Sequence, residues 1–224
     1  MTILLTAATP FEIAPTLAWL DSNAQKEASG LFRLGQVEVF PLLTGLGISA
    51  TSWHLGRFFA LNRVDLAINA GIAGAFDRSL ALGEVVQVWS ERFGDLGVEE
   101  ADGRFTDLFE LGFWENDGTL FSNNQMVNPS AELQKGILPG VSGLTVNKVH
   151  GYPLSIAAIR QKYPDVQVET MEGAAFFHAC LSAGVPFMQI RSISNHVEAR
   201  NREAWDIPLA VERLNRVVLE SFEF

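Results

Sequence analysis

The sequence predicts a single α/β domain, and three observations support that prediction. Short apolar runs alternate with amphipathic stretches along the chain, which is typical of strands that alternate with helices. The length of 224 residues fits one sheet with helices on both faces. No internal repeat and no low-complexity segment interrupts the pattern. We therefore expect one domain over residues 1–224.

The first predicted elements are a buried strand at Ile3–Leu5 and a helix with a well-marked start. Thr9 takes the N-cap position, Pro10 the first helical position and Glu12 the third. This combination is a complete helix-start signal, because each residue type suits the unpaired N–H groups of the first turn. We expect the helix to reach about Leu20.

The next two strands end in glycine-containing segments. The strand at 37–44 ends in GLG at 45–47, and a helix with an apolar face follows at 48–61. The strand at 65–70 runs into GIAG at 71–74. The two glycines of this segment allow a sharp turn and a close approach to a ligand.

The second half of the chain continues the alternation. We expect strands at 83–90, 144–149, 166–169 and 187–194, and helices at 154–163, 171–182 and 203–222. Residues 93–140 are less regular and are rich in glycine, aromatic and acidic residues, which is typical of a lid, an insertion or a subunit contact. Ligands of open α/β sheets bind at the carboxyl ends of strands, so the small and polar residues at those ends predict one functional edge.

Composition excludes several classes of function. The 26 acidic and 16 basic residues give a net charge of −10, and no cluster of Lys and Arg provides a surface for nucleic acid or for an anionic membrane. The single cysteine, Cys180, excludes an internal disulfide framework and a multi-cysteine metal site. The first residues lack the basic and apolar regions of a secretory signal. We expect a cytoplasmic protein whose ligand is a small molecule.

Two glutamates are candidate functional residues, and each also has a purely structural interpretation. Glu12 suits helix capping, and a carboxylate at this strand–helix junction can also act as general base towards a bound water. Glu172 precedes the small residues 173–175, so it either stabilises the positive helix end or accepts hydrogen bonds from a vicinal diol such as a ribose.

Two further candidates lie at the end of the apolar strand 187–194. Arg191 needs an anionic partner at that depth, because a buried unpaired charge is very costly, and the partner could be structural or functional. Asn195 offers one acceptor and two donors, which is enough to recognise the edge of a planar heterocycle.

No pattern in the sequence indicates a metal or an organic cofactor. The four histidines, at 54, 150, 178 and 196, lack metal-ligand spacing. His178 and Cys180 lie two apart on one predicted helix, and therefore on different faces. The glycine-containing segments complete neither a dinucleotide fingerprint nor a phosphate-binding loop with its lysine.

Taken together, several motifs resemble the nucleoside phosphorylase superfamily, over nearly the whole chain. Within it the sequence is most similar to the purine nucleosidases, and among these to the futalosine hydrolases. The general motifs are TGLG at 44–47, NAGIAG at 69–74, ETMEGAA at 169–175 and RSISN at 191–195. The segments that favour the futalosine hydrolases are GDLGVEE at 94–100 and LTVNKVHG at 144–151.

The resemblance implies a central mixed, partly barrel-like sheet flanked by helices. It also implies that Glu172 and Met171 hold the ribose, that Glu12 activates the attacking water and that Arg191 helps to position groups near the sugar. Gly71 and Ile72 are implied substrate neighbours, and related nucleosidases often carry Ser or Thr at the position of Ile72. Relatives are dimers or larger, so we expect a homo-oligomer.

The implied activity is hydrolysis of the N-glycosidic bond of futalosine, with release of hypoxanthine. Asn195 stands where adenine-specific nucleosidases carry Asp, and its amide NH₂ suits a 6-oxopurine as leaving base. Water is favoured over phosphate as nucleophile, because the first loops lack arginine and Glu12 would repel an anion. Two alternatives stay open: a nucleosidase for methylthioadenosine, adenosylhomocysteine or aminofutalosine, and a non-catalytic protein that binds purine nucleosides.

Overall fold

The computed structural model describes residues 1–130, 136 and 138–222. Its strands are β1 (Thr2–Ala7), β2 (Gln25–Lys26), β3 (Phe32–Leu34), β4 (Val37–Leu43), β5 (Leu66–Ala75), β6 (Val85–Phe93), β7 (Gly97–Glu99), β8 (Phe105–Asp107), β9 (Met126–Val127), β10 (Gly140–Thr145), β11 (Val168–Thr170) and β12 (Phe187–His196). Its helices are α1 (Pro10–Asn23), α2 (Gly47–Leu61), α3 (Pro153–Lys162), α4 (Gly173–Ala183) and α5 (Ile207–Glu220), with a 3-10 turn at Arg202–Ala204.

Five strands close into a barrel at the centre of the molecule. The order β11-β10-β6-β12-β5 is completed by an antiparallel pairing of β11 with β5, in which Glu169 lies opposite Gly74. From β5 the sheet continues outwards through β1, β4, β3 and β2. Parallel and antiparallel pairs occur side by side, so the prediction of a mixed, partly barrel-like sheet is confirmed.

Within the described residues, helices cover both sides of this sheet and bury three apolar cores, of which two are large. In one core, Phe176 and Phe177 of α4 pack edge-on against Phe187 of β12, with ring centroids 5.6 and 4.7 Å apart. In the other core, Leu214 and Val218 of α5 pack with apolar residues of β1 and α1. None of the helices within the described residues is long and apolar enough to cross a membrane.

The predicted turn at 71–74 is wrong. β5 continues to Ala75, and Gly71 pairs with Arg191 in the neighbouring β12. Hydrogen bonding to β12 holds the segment extended, and neither Gly71 nor Gly74 has a positive φ. The expected close approach is present, since a Cβ on Gly71 would lie 2.9 Å from Glu12 Oε1.

Among the other predicted elements, two differ markedly from the structure. The strand expected at 144–149 is β10, which ends at Thr145. The helix expected at 203–222 is divided, because Asp206 begins a new helix by accepting a hydrogen bond from the Leu209 N–H at 3.0 Å.

The irregular segment at 93–140 contains short strands and a cluster of aromatic side chains. Trp114 stacks on Phe121 with ring centroids 4.7 Å apart, and Phe109 packs edge-on against both rings. Phe113 is instead 75% exposed. The part of the segment at 131–135 and 137 lies outside the described residues.

Candidate active site

A cavity of about 430 Å³ opens where β1, β5, β11 and β12 end. Its walls include five of the residues that the sequence singles out, namely Glu12, Ile72, Met171, Glu172 and Asn195. These residues come from four separate segments of the chain, and the barrel brings them together at one edge. The structure therefore places these five residues together at one edge of the sheet.

Glu12 is held at the cavity wall by hydrogen bonds to both carboxylate oxygens. The Thr9 N–H and hydroxyl donate to Oε2 at 3.0 and 3.2 Å, and the Ile72 N–H donates to Oε1 at 3.3 Å. The first two contacts are the expected capping contacts, and the third ties the carboxylate to β5. Glu12 therefore caps α1 and lines the cavity at once.

Glu172 faces the same cavity from the N-cap position of α4. The Gly47 N–H donates to its Oε1 at 2.9 Å, and Gly47 has a φ of +85° that favours glycine. Burial raises the pKa of Glu172, while the Gly47 contact and the charge of Arg191 act in the opposite direction. A carboxylate has about four lone-pair sites, so Glu172 keeps acceptor capacity for a ligand hydroxyl.

Arg191 and Gly71 lie behind the cavity wall rather than in it. Arg191 is 1% exposed, and its Nη1 donates to the carbonyls of Asn69 and Ile190, both at 3.0 Å. Burial lowers the pKa of Arg191, and the charges of Glu172 and Glu12 oppose this. Arg191 therefore lies near the charges of Glu172 and Glu12 without lining the cavity. The missing side chain at Gly71 leaves room for the Glu12 carboxylate and the guanidinium.

Asn195 lines the cavity with an amide that is partly engaged by its neighbours. The Ser194 hydroxyl donates to Oδ1 at 2.8 Å, and Nδ2 donates to the His196 carbonyl at 3.0 Å. One amide hydrogen therefore remains for a ligand, whereas the sequence interpretation assigned both amide hydrogens to the purine.

The sequence interpretation missed a buried pair, His150 and Glu169, in the same wall. The His150 N–H donates to Glu169 Oε1 at 2.9 Å, and the ring Nδ1 contacts Oε2. His150 follows β10 and Glu169 belongs to β11, so their position near strand ends is the signal that could have identified them.

A second overlooked carboxylate, Glu91, lies inside the barrel beneath α4. Gln189 Nε2 donates to its Oε1 at 2.6 Å, and the Thr145 hydroxyl donates to its Oε2 at 2.9 Å. Thr145 in turn accepts from the Ala174 N–H at 2.7 Å, in the first turn of α4. Burial raises the pKa of Glu91 to about 7. Glu91 thus supports the helix that positions Glu172.

Within residues 1–130, 136 and 138–222, no group of three or more His, Cys, Asp or Glu side chains could hold a metal ion. The chemistry that this wall offers is that of acids, amides and an imidazole around a space that fits a nucleoside-sized ligand.

Comparisons of the sequence with known proteins give matches over most of the chain. The model of the phosphorylase superfamily matches residues 145–223. Futalosine hydrolase from Thermus thermophilus is 33% identical over 182 residues, which are 79% of this chain and 78% of that protein. Futalosine hydrolase from Streptomyces coelicolor is 35% identical over 154 residues, and the match spans 69% of this chain but only 63% of that protein.

Among solved structures, futalosine hydrolase of Helicobacter pylori superposes with a TM-score of 0.79. The match covers 100% of this chain and 97% of that chain at 14% identity. At this identity the likeness concerns the fold.

Proposed function

Because the chain belongs to the futalosine hydrolase family of the phosphorylase superfamily, we propose that it hydrolyses the N-glycosidic bond of futalosine and releases hypoxanthine. The observation that carries the proposal is the placement of Glu12, Glu172, Met171 and Asn195 on one cavity. A nucleosidase needs a base for water, a partner for the ribose hydroxyls and a donor to the leaving purine. These four side chains provide those groups.

Glu172 and Met171 hold the sugar in this proposal. Glu172 Oε1 is oriented by the Gly47 N–H, so the carboxylate is fixed before the ligand arrives. Its free lone pairs accept hydrogen bonds from the ribose diol, and the Met171 thioether packs against the ring. Arg191 stands behind both glutamates and offsets part of their negative charge.

Glu12 takes the proton of the attacking water. Its carboxylate is held on two sides, by Thr9 and by Ile72, which fixes the direction of its free lone pairs. As the glycosidic bond lengthens, positive charge develops on the sugar and negative charge on the base. The carboxylates stabilise the positive charge on the sugar, and the free N–H of Asn195 stabilises the negative charge on the base.

The charge of the cavity supports water rather than phosphate as the nucleophile. The wall contains three acidic side chains, Glu12, Glu169 and Glu172. Its basic side chains are Arg200 and His150. A phosphate dianion next to Glu12 would be repelled, whereas a water molecule would not.

We also propose that residues 1–224 form one nucleosidase domain, that the protein is cytoplasmic and that it is a homo-oligomer. The aromatic side chains around Trp114 pack on one another and form a local core. Phe113 is exposed and is the candidate for a subunit contact.

Incubation with futalosine, inosine and methylthioadenosine, followed by chromatography of the released base, tests the proposed function. We expect hypoxanthine from futalosine at the highest rate. Faster release of adenine from methylthioadenosine would favour another nucleosidase, and binding without release of any base would favour a non-catalytic binding protein.

A further inference from the structure

The imidazole of His150 is held in one orientation by Glu169. Their side chains are 10% and 2% exposed. Glu169 Oε1 accepts the His150 backbone N–H, and Oε2 contacts the ring Nδ1. An ionised carboxylate can only accept hydrogen bonds, so Nδ1 carries the hydrogen of the neutral ring. Phe76, whose ring centroid is 6.4 Å from that of His150, packs beside the imidazole.

This tautomer leaves Nε2 as an acceptor. The other ring nitrogen of a neutral imidazole has a lone pair and no hydrogen. No hydrogen bond to Nε2 from a described residue is present, and His150 lines the cavity. The wall therefore offers a fixed acceptor to a ligand.

Glu169, which holds His150, and Asn195 lie on opposite sides of one strand of the barrel. Gly74 of β5 pairs with Glu169 on one side and with Asn195 on the other. Neighbouring strands are about 5 Å apart, so the backbones of Glu169 and Asn195 are separated by about 10 Å. Because His150 and Asn195 both line the cavity, a flat heterocycle with one edge at Asn195 would have its other edge free to meet His150.

We propose that His150 is a specificity-determining residue that accepts a hydrogen bond from the N1–H of a 6-oxopurine, and that Glu169 is its positioning residue. The inference rests on the proposed function, because it places the leaving base beside Asn195. A 6-oxopurine carries a hydrogen at N1, whereas N1 of a 6-aminopurine is an acceptor. The latter would face the lone pair of Nε2, and two acceptors cannot bond.

The variant Glu169→Gln tests this because it should reverse the tautomer. The oxygen of the new amide is needed by the His150 backbone N–H, so its NH₂ group would face Nδ1. Nδ1 must then accept, and Nε2 becomes a donor. That arrangement suits N1 of a 6-aminopurine.

The experiment measures two ratios in one mildly alkaline buffer, for wild type, Glu169→Gln, His150→Phe and the control Glu198→Gln. Glu198 pairs with Arg78 outside the cavity. The first ratio is kcat/KM for futalosine over its 6-amino analogue, and the second is Kd for free adenine over free hypoxanthine by calorimetry. We expect both ratios to fall about tenfold or more in Glu169→Gln and His150→Phe, and to stay unchanged in the control.

Ratios that stay at the wild-type value in a folded Glu169→Gln variant would overturn the inference. Equal losses for both bases would do the same, since they would indicate a structural role only. If the wild type releases no base from either nucleoside, the proposed function fails, and the Kd ratio still decides the inference.

Discussion

At the scale of single residues, Glu12 combines the contacts of a helix cap with a place on the cavity wall. Its contacts with Thr9 are those of a helix cap. Its hydrogen bond from the Ile72 N–H of β5 holds the carboxylate at the cavity wall. The same hydrogen bonds that stabilise the helix start also fix the base that we propose for water activation.

The substitution Glu12→Gln separates the two roles. A Gln side chain keeps the shape and part of the capping contacts but removes the base, so we expect kcat to fall by about 10²-fold or more with little change in Tm. Steady-state kinetics and thermal unfolding measure the two effects. Glu84→Gln is a matched control, because Glu84 Oε2 accepts the Ala81 N–H at 2.8 Å, a similar contact outside the cavity. A large fall in Tm with unchanged kcat would leave Glu12 as a cap only.

Asn195 carries the second prediction at this scale. In Asn195→Asp the remaining N–H donor is lost, and the carboxylate accepts from a 6-amino group instead. We expect the kcat/KM ratio of futalosine to its 6-amino analogue to fall about tenfold, which corresponds to about one hydrogen bond. Asn62→Asp is the control, since Asn62 Nδ2 also donates to a local carbonyl, that of Phe58. An unchanged ratio would contradict the role of Asn195 in base recognition.

The residues that the sequence identified differ from those it missed for a physical reason. Glu12, Met171 and Glu172 stand in local patterns of a helix start, so their neighbours along the chain indicate them. His150 and Glu169 are 19 residues apart, and Glu91 meets Gln189 across 98 residues. The pairing of β10 with β11 and of β6 with β12 brings these partners together, and no pattern of neighbouring residues indicates which strands pair.

At the scale of elements, α1 has a kink that places Glu12. Ile13 has non-helical angles, φ −120° and ψ 16°, two residues before Pro15. Pro15 lacks an N–H, and its ring interrupts the regular helix. Asn215 of α5 bridges the kink: its Nδ2 donates to the Glu12 carbonyl at 2.8 Å, and its Oδ1 accepts the Thr16 N–H at 3.0 Å.

We therefore expect Asn215→Ala to reduce both stability and turnover. The change leaves two buried backbone groups without partners, which costs about 2–3 kcal/mol. Because Glu12 loses its backbone anchor, kcat should fall more than KM rises. Denaturant unfolding and kinetics check this, with Asn23→Ala at the exposed end of α1 as control, where Nδ2 donates to the Trp19 carbonyl at 2.8 Å. A loss of stability with unchanged kcat would show that the kink does not position Glu12.

The strand β5 shows where element prediction from sequence reaches its limit. Glycines at 71 and 74 are typical of a turn, yet both lie in an extended strand between neighbours. They are needed for space, since a Cβ at Gly74 would lie 3.0 Å from Val197 and 3.2 Å from Asn195 Nδ2. The two glycines indicate that other groups approach the backbone closely at these positions. They do not indicate whether the chain turns there.

At the scale of the whole molecule, the closed barrel encloses a carboxyl group that links stability to pH. Burial raises the pKa of Glu91 from 4.5 to about 7, so folding favours its protonated form. This contribution is fully present below pH 4.5 and is lost as the pH rises to about 7. At higher pH Glu91 is ionised while buried, and this lowers the free energy of unfolding.

The variant Glu91→Gln should remove that dependence. Relative to wild type, we expect it to gain about 3 kcal/mol in the free energy of unfolding as the pH rises from 5 to 8. Denaturant titrations across this range measure the difference, and Glu99→Gln, at an exposed position of β7, is the control. A wild-type and a variant curve that run parallel from pH 5 to 8 would contradict a raised pKa.

The central claim is that water, activated in this cavity, cleaves futalosine. The direct measurement is a single incubation with futalosine in ¹⁸O-labelled water, with and without added phosphate, followed by mass analysis of the sugar product. We predict a free sugar that carries one ¹⁸O atom, together with hypoxanthine, at a rate that phosphate does not raise. A sugar 1-phosphate that forms only when phosphate is present would contradict the account.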